Sequence, residues 1–108
     1  MTYEEIVEMV RKAFEYADAR NIFEHVAFQV NIVGEGSGAF YIEVAQRQIC
    51  VEPYDYHDRD GLVTCTAEVI KSICMKQVTL QQAYDRGMIN YEGNIEKLDT
   101  CIRNIKLA

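Results

Sequence analysis

The feature that most constrains this chain is a change of hydrophobic period. From Tyr3 onward, Tyr3, Ile6, Val7, Val10, Phe14 and Ala17 recur at helical spacing, while Glu4, Glu8, Arg11, Lys12, Glu15 and Asp18 lie mostly off that stripe. Thr2 and Glu5 stand in the S/T-x-x-E relation of a capping box, so a helix is expected over 3–20. From Val26 the period becomes two. Val26, Phe28, Val30 and Ile32 point one way, and Ala27, Gln29 and Asn31 the other. A chain that begins as an amphipathic helix and continues as alternating strands has to lay that helix on a sheet.

The alternating run stops at Gly34-Glu35-Gly36-Ser37-Gly38 and resumes with Phe40, Ile42 and Val44. A third strand over 48–52 puts Ile49 and Val51 on one face and ends at Pro53. These three strands read as an antiparallel meander with one apolar face. Leu62 to Cys65 forms a fourth strand. Thr66 caps a helix over 67–75, and Thr79 caps a shorter one over 80–86 that ends at Gly87. Residues 88–92 form a fifth strand, with Ile89 and Tyr91 on one side. Asn94 caps a last helix whose stripe is Ile95, Leu98, Cys101, Ile102 and Ile105. The expected class is α+β: a five-stranded, mainly antiparallel sheet with one face covered by helices.

With 108 residues the chain is expected to form a single domain over 1–108, and 49% hydrophobic with 26% charged residues belongs to a folded protein. The net charge of -6 lacks the basic footprint of a nucleic-acid binder. No apolar run approaches the roughly 20 residues of a membrane span, so no stable membrane insertion is expected. Met1-Thr2-Tyr3-Glu4-Glu5 is acidic where a signal peptide is basic. Cys50, Cys65, Cys74 and Cys101 form no C-x-x-C pair and no zinc spacing with His25 or His57. They read as small reduced core residues of a cytoplasmic protein.

Motifs for chemistry are few. Gly34 to Gly38 leads into a strand rather than a helix, so it is a hairpin link and not a phosphate loop. Asp55, Asp58 and Asp60-Gly61 resemble part of a calcium loop. Tyr56 and Ala67 would then fall on ligand positions, so a solvated acidic loop is expected instead. His25 and His57 lie in unrelated segments with no nucleophile elbow beside them. No catalytic residue, metal or cofactor is expected.

The stretch 79–94 reads T-L-Q-Q-A-Y-D-R-G-M-I-N-Y-E-G-N. It resembles the signature of the sterol carrier protein-2 family: a capped short helix with Ala-aromatic, then Gly, an alternating strand, and Gly followed by Asn before the last helix. Ala83, Tyr84, Gly87, Ile89, Gly93 and Asn94 fall on that pattern. The hairpin from Phe28 to Phe40-Tyr41 and the passage Val63 to Ala67 resemble the same family, in order, over nearly the whole chain. Leu80 departs from it where proline is common, and Tyr91 where an aliphatic residue is usual. The C-terminal residues also lack the Ser-Lys-Leu ending of some members.

The resemblance implies a stand-alone small domain with an apolar tunnel between sheet and helices that holds a lipid without catalysis. The expected lining is Phe28, Val30, Ile32, Phe40, Ile42, Val44, Ile73, Ile89, Tyr91, Leu98 and Ile102, with Tyr91 offering a hydroxyl and the last helix acting as a lid. A ligand-sized void of about 300 Å³ would cost roughly 7 kcal/mol if left unfilled. That compares with the about 5–15 kcal/mol of stability of a whole domain. The alternative is an accessory module with a closed core, associated with an enzyme of lipid or quinone metabolism. A homodimer or a partner enzyme is left open.

Overall fold

The computed structural model describes residues 1–54 and 57–107. Asp55 and Tyr56 of the acidic-loop reading, and Ala108 at the C-terminus, lie outside them. In chain order the elements are α1 (Tyr3–Phe14), β1 (Val26–Val33), β2 (Gly38–Ala45), β3 (Gln48–Glu52), β4 (Gly61–Thr66), α2 (Ala67–Cys74), α3 (Leu80–Asp85), β5 (Asn90–Gly93) and α4 (Ile95–Asn104).

The five strands form one sheet in the order β3-β2-β1-β4-β5. The meander of β1, β2 and β3 is antiparallel, with Phe28 opposite Ile42 and Ile42 opposite Val51. β4 runs parallel to β1, pairing Val30 with Val63, and β5 closes the far edge antiparallel to β4, pairing Val63 with Tyr91. The sheet is therefore mixed, with a single parallel pair at its centre.

The helices start where local chemistry directs. The Thr2 hydroxyl accepts the Glu5 amide at 3.2 Å, and the Glu5 carboxylate accepts the Thr2 amide at 2.9 Å. Thr66, Thr79 and Asn94 cap α2, α3 and α4 through the amides of Val69, Gln82 and Lys97. α1 buries Ile6, Val7, Val10 and Phe14 on the sheet. Its N-terminus seats on the β1–β2 link. A Cβ on Gly36 would lie 2.5 Å from the Ile6 Cδ1, and one on Gly38 would lie 2.5 Å from the Tyr3 ring. The glycines of that link are thus needed for close approach as well as for the turn.

Four expectations are corrected. α1 stops at Phe14 instead of Arg20, because the Asp18 amide donates to the Lys106 carbonyl at 2.9 Å and the Asp18 carboxylate accepts the Arg20 amide at 3.0 Å. The turned segment then buries Ala19 and Ile22 beside Leu98 and Cys101. β5 begins two residues later than expected, since the Met88 amide still closes the turn after α3 by donating to the Ala83 carbonyl. Ile95 is half-exposed in the first turn of α4 and does not belong to its inner stripe. Cys50 is exposed, because the alternation that turns Ile49 and Val51 inward on β3 turns it outward.

Asp60 ties the sheet to α4. Its carboxylate accepts the Ala27 amide at 2.8 Å and the Lys97 ammonium at 2.9 Å, and its backbone bonds both Ala27 and Asn94. Burial works to raise the Asp60 carboxyl. The Lys97 ammonium and the Ala27 amide outweigh it and hold the group below the usual carboxylate range.

Candidate functional site

Between the inner face of the sheet and the four helices lies a cavity of about 100 Å³. Its floor comes from Phe28 and Val30 of β1, Phe40 and Ile42 of β2, and Val63 and Cys65 of β4. Val10 and Phe14 of α1, Ile70, Ile73 and Cys74 of α2, Leu80 of α3, and Leu98, Cys101 and Ile102 of α4 form its roof, with Ile89 and Ile105 at the sides. Every one of these side chains is aliphatic, aromatic or a thiol. Three parallel or antiparallel strands supply alternate residues to one face, and each helix turns its stripe onto that face, so the same periodicities that build the core also enclose the cavity.

Of the residues expected to line a tunnel, Phe28, Val30, Phe40, Ile42, Ile73, Ile89, Leu98 and Ile102 are brought together on the cavity wall. Ile32 and Val44 are buried away from it, Ile32 in the core under α1 and Val44 beside Ile22 and Leu98. Tyr91 also stands apart. Its ring meets Phe28 edge-on, with centroids 5.9 Å apart, and its hydroxyl donates to the Asn94 carbonyl at 2.6 Å. Burial pushes the Tyr91 hydroxyl up to about 12, so it stays a neutral donor.

Sequence reasoning missed Val10, Phe14, Val63, Cys65, Ile70, Cys74, Leu80, Cys101 and Ile105 as wall residues, although Val10, Phe14, Cys101 and Ile105 sat on helical stripes read from periodicity. Nothing in a period separates a residue that touches its neighbours from one that borders a void. The three wall thiols are held neutral by burial, with Cys65 and Cys74 pushed up to about 11 and Cys101 to about 12. Thiols in that state are poor nucleophiles. The cavity wall thus carries apolar contact and no acid or base. His25 lies outside it, with its Nε2 2.6 Å from the Glu43 carboxylate. Among the described residues no group of His, Cys, Asp or Glu is placed to hold a metal ion, and no helix is long and apolar enough to cross a membrane.

No family model matches the sequence, and no curated protein matches it. Solved structures do. The chain is similar to Sterol Carrier Protein 2 Like 2 from Aedes aegypti, at 22% identity and a TM-score of 0.66, over 93% of each chain. The palmitated form of that mosquito protein matches at 22% identity and a TM-score of 0.69, over 95% of this chain and 93% of the other. UbiJ-SCP2, a ubiquinone synthesis protein, matches at 18% identity and a TM-score of 0.65, over 94% of this chain and 90% of the other. TM-scores of 0.65 to 0.69 over 90% or more of each chain show that the chain has the sterol carrier protein-2-like fold.

Proposed function

We propose that this protein binds the apolar chain of a lipid, such as a fatty acyl, isoprenoid or sterol group, non-catalytically between its sheet and its helices. The observation that carries the reading is the wall: strands and all four helices converge on one cavity to which they present no charged group. A chain held there gains about 0.8 kcal/mol per buried CH₂. The palmitated state of the mosquito protein supports the same use of the fold.

The cavity is smaller than the roughly 300 Å³ at which small-molecule pockets begin. Leaving about 100 Å³ unfilled costs only about 2 kcal/mol, so the protein folds without ligand and opens to admit one. α4 is the element we assign as the lid. It is fastened at its ends, by Lys97 to Asp60 and by the Asp18–Lys106 bridge, and rests on the cavity through Leu98, Cys101 and Ile102. Four free thiols suit a reducing compartment, and we place the protein in the cytoplasm.

The test is native mass spectrometry of protein purified without detergent, with organic extraction of the same sample. It is paired with melting temperatures across saturated fatty acids of increasing length. A copurified lipid, and a melting temperature that climbs with chain length, are expected. Equal stabilisation by every chain length would sink the mechanism. If no lipid raised the melting temperature, the second reading would take over. That reading is a closed-core accessory module for an enzyme of lipid or quinone metabolism, favoured by the small cavity and by the likeness to UbiJ-SCP2.

A further inference from the structure

A groove of about 330 Å³ lies on the surface where the α2–α3 link meets the segment after α4. It shares Ile73, Leu80, Ile102 and Ile105 with the inner cavity, so a single layer of apolar side chains separates the two. Its charged residues are Lys76 and Lys106, and among the described residues no carboxylate lines it. Among the described residues neither ammonium forms an ion pair. Asp18 lies in the field of Lys106, but its carboxylate is held by Arg20 at 2.9 Å.

Two other clefts that meet the cavity have a different charge. A cleft of about 210 Å³ between α3 and α4 shares Leu98 and Ile102 with the cavity, and its charged residues are Glu96 and Asp99. The groove between α1 and β3 meets the cavity only at Phe14, and its Arg11 is already paired with Glu52 at 3.3 Å. Of these three grooves, the one with the most apolar wall in common with the cavity therefore carries two lysines that, among the described residues, form no ion pair, in a protein of net charge -6.

Lys76 adds a second observation. It sits just past α2 with φ 61°, closing the helix through bonds from its own amide to Ile73 and from Gln77 to Ser72. That left-handed position suits glycine, and a lysine there is strained.

We infer that this groove is the opening of the cavity and a head-group site, in which Lys76 and Lys106 select a lipid with an anionic head, a carboxylate in the simplest case. The inference rests on the lipid-binding reading above. The tail passes between Leu80, Ile102 and Ile105, and the carboxylate remains in the groove between the two ammonium groups.

The test compares hexadecanoate with hexadecanol, which share a tail and differ in head, by competition against Nile red at neutral pH and low salt. The native protein is expected to prefer hexadecanoate by roughly fivefold, the scale of two exposed ion pairs. The double variant Lys76→Gly, Lys106→Gln is expected to lose that preference and keep its affinity for hexadecanol. Lys76→Gly relieves the left-handed strain, and a melting curve checks that the variant folds. Lys106→Glu alone, on an exposed side chain, gives an independent variant with the preference reduced or reversed. No preference in the native protein, or a preference that survives in both variants, would overturn the head-group site while leaving the cavity reading standing. Binding of neither compound would overturn both.

Discussion

The phenol of Tyr91 lies across Gly61: a Cβ on Gly61 would stand 2.1 Å from the Tyr91 hydroxyl oxygen. Gly61 opens β4 between Phe28 of β1 and Gly93 of β5. The missing side chain lets Tyr91 lean over it, reach Phe28 and donate to Asn94. One aromatic ring thus covers a glycine and closes this end of the sheet. Gly61→Ala should destabilise the protein by about 1–3 kcal/mol. Tyr91→Leu should cost less in the Gly61→Ala background than in the native one. Urea unfolding of the two single variants and the double variant measures this, with a coupling on the order of 1 kcal/mol expected. Strict additivity would show that the ring and the glycine are independent.

The Asp60–Lys97 pair should set the acid limit of the fold. Because the folded carboxyl lies below the ordinary aspartate value of 3.8, its contribution is present above that value and is lost as pH falls through the folded one. Asp60→Asn should therefore flatten the acid limb of a stability-against-pH curve. Lys97→Met, which leaves a mostly buried carboxylate without its cation, should cost about 1–3 kcal/mol at neutral pH. Chemical denaturation across the acid range checks both.

The thiols offer a reading of the alkaline side and of the cavity. Cys65, Cys74 and Cys101 are raised from 9 to about 11 or 12 by burial. Unfolded thiols ionise first, so stability should fall as pH rises above 9. At neutral pH the exposed Cys50 should alkylate first, although burial and the nearby Glu52 raise it as well. The three wall thiols should react only when the helices part. A bound lipid should slow their alkylation and leave Cys50 unchanged, as peptide mass spectrometry would resolve. Equal protection of all four would point to a global rise in stability and away from occupancy of the cavity.

Phe40 and Val44 share one face of β2 with Ile42 between them, both nearly inaccessible, yet of the two only Phe40 borders the cavity. Phe40→Ala should cost about 3–5 kcal/mol and Val44→Ala less. The two should separate in binding. Phe40→Ala enlarges the chamber and should shift the preferred fatty acid towards a longer or bulkier chain, whereas Val44→Ala should leave the preference where it is. Chain-length profiles of the two variants make the comparison. Identical shifts would mean that core and wall cannot be told apart by their geometry.

Much of this architecture is legible in the sequence because it is decided locally. Thr2, Thr66, Thr79 and Asn94 reach amides within a turn of themselves, so a reader of the chain can place four helix starts. The alternation of Phe28, Val30, Phe40 and Ile42 fixes a common face whatever lies above it. Cys50, expected in the core, was misread: inward Ile49 and Val51 already require it to point out.

What the tertiary structure alone decided depends on segments far apart in the chain. α1 ends at Phe14 because Lys106 meets Asp18. Tyr91 turns aside because Gly61 makes room for it. A row of apolar residues becomes a chamber, with Lys76 and Lys106 beside the wall it shares with the outer groove, only when α2, α3 and α4 settle at particular heights above the sheet. Periodicity states which way a side chain points. How closely it is met from the other side is a property of packing between distant elements, and no local pattern carries it.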